Sequence, residues 1–493
     1  MEKFVFDKEI FKRKFIQSSG IRNIAKNTTN GLDSICPTKS KNGNICRGYK
    51  SNELMIDTLH NIWGVSVDEK KGIDIETKLF EKIDKQVRFE PDQSKVVFTD
   101  FMRSMYFERS EGNNGNNGNN LSLLRYQPAS KLKDFGKFVA DVLMDKQTKD
   151  MFLKILESEC SPFDDVIDKA YEQLNILKNF SQVREYARIF TEDLKELYIV
   201  MNIDFRNALD SRTDVQAEIE FLFSYYLFIY LSQIAIRLDN DLDDTKSESP
   251  YLLFKGAKEA ISEDRDCVVR GWNKVKRKTR KVFKHLLVLN MLNCHDNSVP
   301  YYTYSDLFIL YDKNPDIRQD MNDAIDYLIQ QYTQEYRYET DIKGEYVDFT
   351  KVPFSGYSMD PCENYKLKVR YLFQCVSFQL DEKKSRRDVV EYVAKNYEHI
   401  LKMRFVKNWG QLGHMIMISN DDLILMIQIC QKASDKTDPE RGIPLRDLFE
   451  EFRKRGLYMD GKTEQYIINQ LIDINLIDSK CDSEEAQYVK RIQ

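Results

Sequence analysis

The chain has 493 residues and a formal net charge of −5, and 42% of its residues are hydrophobic and 12% aromatic. This length allows two to four domains, and the composition predicts sizeable hydrophobic cores and excludes a disordered protein. The acidic balance excludes attraction of nucleic acid by the whole molecule, so such binding would require a local basic patch. The nine cysteines never form C-x-x-C and the N-terminus has no signal-peptide pattern, so we predict a cytoplasmic protein.

The first region, residues 1–111, is predicted to be mixed in structure, with a pair of strands within 86–101 around a Pro-Asp-Gln turn. Glu76 and Lys78 have the E-x-K spacing with which metal-dependent nucleases hold a cation, and Asp57 is the candidate second carboxylate. Such triplets are common by chance. A metal-dependent nuclease is therefore kept as the alternative function, and we predict no metal site as the main interpretation.

A Gly/Asn repeat at 112–120 predicts a linker or loop, because it has no apolar side chains to pack. From 121 to 340 helical spacing dominates and predicts an all-helical domain. Its most apolar run, 221–236, includes three tyrosines, which favours a buried core helix over a membrane span. The acidic run at 239–244 lacks the pattern of a calcium loop and predicts a solvated helix end.

The most charged local feature is the segment 270–285, which has eight Lys or Arg residues and no acidic one. On a helix, its apolar residues would form one inward stripe. The stripe consists of Val275, Val282, Phe283 and Leu286, and the predicted exposed cations are Lys274, Lys276, Arg277, Lys278, Arg280, Lys281 and Lys284. Such cations bind DNA phosphates with strong salt dependence and without reading the base sequence. A face paired with acidic neighbours, or a docking face for an acidic partner, explains the same charges.

Residues 341–408 predict a linker followed by a helical block, and 415–493 contain three segments of helical spacing before a terminal hairpin. Three helices and a hairpin predict a winged-helix-like domain, whose third helix would enter a DNA major groove. The candidate contacts on that helix are Lys462, Thr463, Gln465, Tyr466 and Asn469. Residues 443–493 contain eight basic and ten acidic residues, so a protein-binding or structural role is an equal alternative.

The stretch GLYMDGKT at 456–463 matches the letters of a phosphate-binding loop. Such a loop needs a buried strand before it and a helix after it. Residues 445–455 instead have the i, i+3, i+4, i+7 apolar spacing of an amphipathic helix. We therefore predict a turn between two helices, in which Gly456 ends the first and Asp460 caps the second.

The last forty or so residues carry a family resemblance. The matching elements are Arg455-Gly456 before the turn, Asn475-Leu476-Ile477 after the helix, and Asp482-Ser483 followed by Ala486-Gln487-Tyr488-Val489 at the end. This pattern resembles the end of the DptG component of bacterial DNA phosphorothioation-dependent restriction systems. Glu484 departs from it by replacing a glycine, which would alter the tip of the predicted wing.

The resemblance implies a cytoplasmic antiviral protein that acts with an ATPase-like and a helicase-like partner to restrict DNA lacking the sulfur modification. It carries over no catalytic residue, and we predict no catalytic residue and no cofactor. The predicted fold is mainly α: a multi-domain helical protein with a small mixed N-terminal region and a C-terminal winged-helix-like domain. The predicted function is a non-catalytic subunit that contacts double-stranded DNA, assembles its partners, or does both.

Overall fold

The structure, a computed structural model, describes residues 4–15, 35–37, 49–67, 80–83, 93–106, 121–127, 133–157, 169, 172, 177–179, 186–211, 215–242, 249–295, 299–335, 340, 344–353, 364–381, 387–477 and 487–492. Within them the protein is mainly helical with small sheets, which confirms the predicted mainly-α class. The Gly/Asn repeat at 112–120 lies outside the described residues, and the predicted domain boundaries stay predictions.

The helices are α1 (Lys8–Phe15), α2 (Ser51–Trp63), α3 (Gln93–Tyr106), α4 (Lys133–Phe138), α5 (Lys146–Lys154), α6 (Lys195–Leu209), α7 (Val215–Leu242), α8 (Asp266–Val269), α9 (Trp272–Leu292), α10 (Tyr304–Lys313), α11 (Arg318–Gln330), α12 (Tyr365–Leu380), α13 (Arg387–Leu401), α14 (Asn420–Ala433), α15 (Leu445–Lys454) and α16 (Gly461–Asp473). Short 3₁₀ or π turns are Leu121–Tyr126, Val139–Leu143, Ile155–Glu157, Pro315–Ile317, Gln331–Glu335, Phe349–Lys351 and Gly410–Leu412.

The strands are β1 (Val65–Val67), β2 (Leu177–Asn179), β3 (Leu253–Gly256), β4 (Val406–Asn408), β5 (His414–Ile418), β6 (Ile443–Pro444), β7 (Tyr458–Met459) and β8 (Tyr488–Val489). The largest sheet has the order β4-β5-β3-β7, in which β4 and β5 are antiparallel and the other neighbours are parallel. Two antiparallel pairs, β1 with β2 and β6 with β8, complete the described strands. Helices α14 and α16 begin directly after β5 and β7, so the sheet fixes where both helices start.

The centre of the core is α7, which packs against α2, α6, α9 and α13. It is apolar on all sides, as expected for a helix that is surrounded by others. It is also the described helix that is long and apolar enough to cross a membrane, but 94% of its most apolar window is buried inside the protein. The sequence-based prediction of a buried core helix is therefore confirmed.

The C-terminal part contains the three predicted helices as α14, α15 and α16. Strand β6 leads into α15, and β8 pairs with β6 so that Ile443 lies opposite Val489. On the other side of β8, the Lys490 N–H donates to the Leu476 carbonyl oxygen over 2.8 Å. The end of the chain thus returns between the start of α15 and the segment that follows α16. Residues 478–486, which include the predicted turn of the hairpin, lie outside the described residues.

Two local predictions differ from the structure. The predicted strand pair within 86–101 is wrong, because α3 covers its second half. The exposed Val96 and Val97 face solvent there, and β-branched residues favour strands only where a half-buried pleated surface is available. The predicted all-helical range 121–340 also contains β2 and β3. A strand as short as β3 carries no periodicity that would separate it from a helix.

Candidate nucleic-acid interface

The basic segment forms the helix α9, which begins at Trp272 as the sequence predicts. Gly271 allows α8 and α9 to meet, because a Cβ at this position would lie 2.3 Å from the Cys267 carbonyl oxygen. The predicted apolar stripe is confirmed, since all four of its members are buried. It packs α9 against α7, α12 and α13, which fixes the direction in which each basic residue of the helix points.

Two of the predicted DNA contacts are held inside the protein near the ends of the basic segment. Lys274 is 5% exposed, and its ammonium donates to the Ser249 carbonyl oxygen. Lys284 is 7% exposed, and its Nζ lies 2.5 Å from Asp381 Oδ1. The geometry of these two lysines gives no support to a DNA contact, and Lys284 has the acidic neighbour that the alternative explanation requires.

Asp239 is the acidic centre beneath the middle of α9. Its carboxylate accepts hydrogen bonds from Lys278 and, over 2.8 Å, from Lys281. His285 Nε2 lies 3.6 Å from its Oδ1. Burial alone would raise the pKa of Asp239, but its interactions with His285, Lys278 and Lys281 outweigh burial and hold the pKa far below its usual range. Asp239 is therefore ionised at neutral pH and offsets part of the charge of the helix.

The prediction of a solvated helix end at 239–244 is wrong for Asp239. It is only 8% exposed, because it lies one turn after the buried Ala235 on the inward face of α7. The helical spacing of the apolar run, extended by one turn, is the sequence signal that would have predicted this burial.

Lys276, Arg277 and Arg280 are exposed and form no ion pair with any residue that the structure describes. Lys276 and Arg280 lie one turn apart on the same face of α9, and Arg277 lies beside them. Like charges at this spacing repel one another. These three residues, which we call the exposed triad, are the part of the predicted basic face that is available to a polyanion.

The five predicted contacts on α16 divide into two groups. Lys462, Gln465 and Asn469 form one exposed stripe, in which Gln465 Nε2 donates to Asn469 Oδ1 over 3.1 Å. Thr463 is fully buried, and Tyr466 is partly buried. The stripe is accessible to a partner, whereas Thr463 and Tyr466 contact other residues of the protein itself.

Tyr466 closes against the end of β3. A Cβ on Gly256 would lie 2.3 Å from Cε1 of its ring, so glycine is needed for this approach. The Tyr466 hydroxyl also accepts a hydrogen bond from the Lys258 N–H over 3.2 Å. Helix α16 is therefore docked on the sheet through Tyr466, one of the five residues predicted to contact DNA.

Thr463 belongs to a buried polar network at the start of α16. Its hydroxyl donates to Glu259 over 3.0 Å, and its N–H donates to Asp460 over 2.9 Å. Arg265 joins the two acids, with distances of 2.7 Å to Glu259 and 2.6 Å to Asp460. Burial acts to raise the pKa of Asp460, but hydrogen bonds from Arg265 and Thr463 outweigh it and lower the pKa to about 2.

This network shows that GLYMDGKT, residues 456–463, forms a helix cap and not a phosphate-binding loop. The predicted roles of Gly456 and Asp460 are confirmed, because Gly456 has a left-handed φ of 81° and the Asp460 side chain caps α16. Between them the chain forms the short strand β7, which the sequence did not predict. An ionised carboxylate already occupies the helix N-terminus at which a phosphate-binding loop would hold its phosphate. The arrangement excludes phosphate from this end of α16 in the described conformation.

Of the three residues of the alternative nuclease site, the structure describes only Asp57. Asp57 is fully buried on α2 and accepts a hydrogen bond from the Tyr49 hydroxyl over 3.0 Å. Glu76 and Lys78 lie outside the described residues. Across the described part of the chain, no group of three or more His, Cys, Asp or Glu residues is placed to hold a metal ion. The nuclease site stays a prediction.

The chain matches no protein-family model and has no significant match among curated proteins. The functional proposal therefore rests on the contacts and charges of its own residues and on the resemblance carried by its last forty or so residues.

Proposed function

We propose that this protein is a non-catalytic subunit of a cytoplasmic antiviral restriction complex that acts on DNA lacking the phosphorothioate modification. It holds the DNA backbone, assembles the ATPase-like and helicase-like subunits of the complex, or does both. The observation that carries the DNA contact is the exposed triad. Among the seven predicted contacts of the basic helix, these three cations have no acidic partner among the described residues, whereas three of the other four are paired with Asp239 or Asp381.

Several of the described residues that resemble DptG hold the fold of this part of the chain. Arg455 is fully buried, and Gly456 has a left-handed φ. Asn475 also has a left-handed φ of 59°, a conformation that asparagine tolerates better than most side chains. Leu476 accepts the hydrogen bond from the last described segment. Of the matched residues that the structure describes, Gly456 and Asn475 serve turns, and Leu476, Tyr488 and Val489 serve backbone pairing.

We infer that residues 415–493 form a winged-helix-like domain. In support, α14, β6, α15, α16 and β8 follow one another in this order, and β6 pairs with β8. The two-residue strand β7 lies between α15 and α16 and pairs with β3. The backbone at Leu476 continues the pairing on the far side of β8. Because Thr463 and Tyr466 dock α16 on the sheet, an outside contact by this helix is restricted to its exposed stripe. The net charge of −2 over residues 443–493, from eight basic and ten acidic residues, favours a protein partner for this part of the chain.

The test of the DNA contact is a charge reversal of the exposed triad, with Lys276, Arg277 and Arg280 all changed to Glu. Binding of a fluorescent duplex is measured by anisotropy across a salt series. Each lost phosphate contact lowers the slope of log affinity against log salt by about 0.9, so three contacts lower it by about 2.7. We also expect at least about tenfold weaker binding at low salt.

A matched control reverses three exposed cations on other helices, Lys146, Lys313 and Arg446, and changes the net charge equally. If the control loses as much affinity as the triad variant, the effect is one of overall charge and the triad is not a contact. If neither variant changes binding, the DNA role fails. Co-expression with the ATPase-like and helicase-like subunits then tests assembly, and that role fails in turn if neither subunit co-purifies.

The nuclease alternative has its own assay. Purified protein is incubated with plasmid DNA and Mg²⁺ or Mn²⁺, beside a Glu76→Ala variant. Cleavage by the wild type that the variant lacks would replace the non-catalytic function with the nuclease.

A further inference from the structure

A polar cavity lies where two helices of the protein end beside each other. Helices α6 and α14 pack together, and the last turn of each borders the cavity. Its volume is about 370 Å³, which is within the range of sites for small molecules. The turn after α14 and the C-terminal segment of the chain complete its walls, the latter through Arg491. The cavity therefore lies between the middle helices and the C-terminal part of the protein.

Two of the polar residues in the wall from α14 are held by partners inside the protein. The Gln431 amide donates to the Val489 carbonyl oxygen over 3.1 Å. The Lys432 ammonium donates to Ser211 Oγ over 3.1 Å and pairs with the buried Glu218. The positive charge of Lys432 is therefore neutralised within the wall, and it does not attract an anion into the cavity.

Four other lining residues have side chains that form no hydrogen bond or ion pair with any residue that the structure describes. They are Asn207, Asp210, Thr437 and Arg491. Asp210 and Arg491 are exposed, and Asn207 is partly buried. The hydroxyl oxygen of Thr437 is buried, and a buried polar group without a partner costs stability. The walls therefore contain one unpaired carboxylate and one unpaired guanidinium, together with an amide and a hydroxyl.

The charges of the walls decide which class of ligand fits the cavity. A helix C-terminus has a partial negative charge, and two of them meet here beside Asp210, so a phosphate or another polyanion is repelled. A ligand with only positive charge is repelled by Arg491. None of the described residues that line the cavity is aromatic, so a nucleobase has no ring on which to stack. A small ligand with one ammonium and one carboxylate group satisfies both unpaired charges.

We propose that this cavity binds a free α-amino acid, whose ammonium group lies against Asp210 and the two helix C-termini and whose carboxylate accepts hydrogen bonds from Arg491. α-Amino acids carry both charges at neutral pH. The guanidinium fork of an arginine matches a carboxylate with two parallel hydrogen bonds, and a cation is stabilised at a helix C-terminus. The bound amino acid connects α6 to the last residues of the chain. This site requires no DNA contact, so it is independent of the proposed function.

The test begins with thermal unfolding of the full chain in the presence of each proteinogenic amino acid in turn. A ligand that binds the folded protein raises its melting temperature, so at least one of them should do so. Isothermal titration calorimetry then measures the affinity for that amino acid, for its amide and for its N-acetyl derivative. The amide lacks the carboxylate and the N-acetyl derivative lacks the ammonium group, so each should bind at least about tenfold more weakly.

Variants assign the two ends of the ligand. Arg491→Gln should bind the amino acid at least about tenfold more weakly, and should bind its amide as well as the wild type does. Asp210→Asn should behave in the same way towards the N-acetyl derivative. Thr437→Val should weaken binding about threefold without lowering the melting temperature of the protein alone, because its hydroxyl has no partner to lose. Arg446→Gln and Asp435→Asn, which remove exposed charges outside the cavity, should leave the affinity unchanged.

Three results would overturn the proposal. The first is that no amino acid raises the melting temperature. The second is equal affinity for the amino acid and for either derivative, because the ligand would then not be held by both of its charges. The third is unchanged affinity in Arg491→Gln or Asp210→Asn, which would place the amino acid elsewhere on the protein. The DNA contact of the exposed triad is tested by other variants and is unaffected by any of these results.

Discussion

Replacing Arg455 with methionine tests whether the Arg-Gly pair of the family resemblance is structural. The Arg455 side chain is fully buried between α15 and α6. Its guanidinium makes two parallel hydrogen bonds to Asp204, over 2.8 and 2.7 Å, and a third to the Glu451 carboxylate over 2.7 Å. Methionine matches the length and apolar stem of the arginine, so the substitution removes the charge and the donors with little loss of packing.

The expected loss of unfolding free energy follows from the Asp204 carboxylate that the substitution leaves buried. Without Arg455, the carboxylate of Asp204 is buried without a cation, and removing one partner of a buried pair costs about 3–5 kcal/mol of unfolding free energy. Burial already raises the pKa of Asp204, while Arg455 and the Tyr226 hydroxyl act to lower it. The pKa therefore rises further in the variant. A carboxyl whose folded pKa is raised stabilises most below its unfolded pKa and loses that contribution as the pH rises through the folded value. The variant should be destabilised more at alkaline than at acidic pH.

Urea unfolding followed by the helical circular dichroism signal measures this effect at two pH values. The double variant Asp204→Leu/Arg455→Met should recover most of the loss, because it leaves no buried charge from the pair. Arg453→Met is the control, since this half-exposed arginine pairs with Glu464 at the surface, and its loss should cost less than about 1 kcal/mol. A variant of Arg455 within about 1 kcal/mol of the wild type, or a double variant no more stable than the single one, would refute the reasoning.

Two further predictions concern single side chains. Burial, followed by the charge of Asp193, raises the pKa of Asp241 from 3.8 to about 7, so its contribution to stability is lost as the pH rises through about 7. Asp241→Asn should remove this pH dependence and add up to about 4 kcal/mol of unfolding free energy at pH 8, measured by urea unfolding. Gly442 has a φ of 93°, and a Cβ there would lie 2.0 Å from the Val489 carbonyl oxygen. Gly442→Ala should therefore separate β6 from β8 at a cost of at least about 2 kcal/mol, and hydrogen exchange at Val489 should accelerate; unchanged protection would contradict this.

Sequence patterns predicted the parts of this fold that depend on residues close to one another in the sequence. The inward stripe of α9, with Val275 and Val282, follows the helical period, and the Asp460 cap follows from one residue type at one position. The α3 prediction failed because strand propensity depends on a partner surface that the local sequence does not contain. Strand β3 was missed because its four residues fit either element.

In the candidate site too, the sequence predicted which cations lie on one helix but not which acidic residues pair with them. The sequence correctly grouped the cations of α9, but Asp239 and Asp381, which pair with three of these cations, come from α7 and from the end of α12. Helix α13 and strand β5 also pack against α9, although both begin more than a hundred residues after its first residue. Periodicity describes one helix at a time. It predicts which side chains point outward, but it does not predict which opposite charge the fold brings to meet them.

The charge distribution also favours DNA binding within a complex over DNA binding by the isolated chain. On the proposed function, three phosphate contacts from the triad on a chain with a net charge of −5 would give only weak, salt-sensitive binding, on the order of 10⁻⁴ to 10⁻⁶ M at physiological salt. When a second subunit of the same complex also holds the DNA, the contact becomes intramolecular, and the overall affinity rises by about 10² to 10⁴ without any new contact. On the proposed function, the triad should therefore matter more within the complex than in the isolated chain. Charge reversal of the triad should lower the DNA affinity of the assembled complex even at salt concentrations at which the isolated protein no longer binds. If the DNA affinity of the assembled complex does not change on reversal, the chain serves assembly alone.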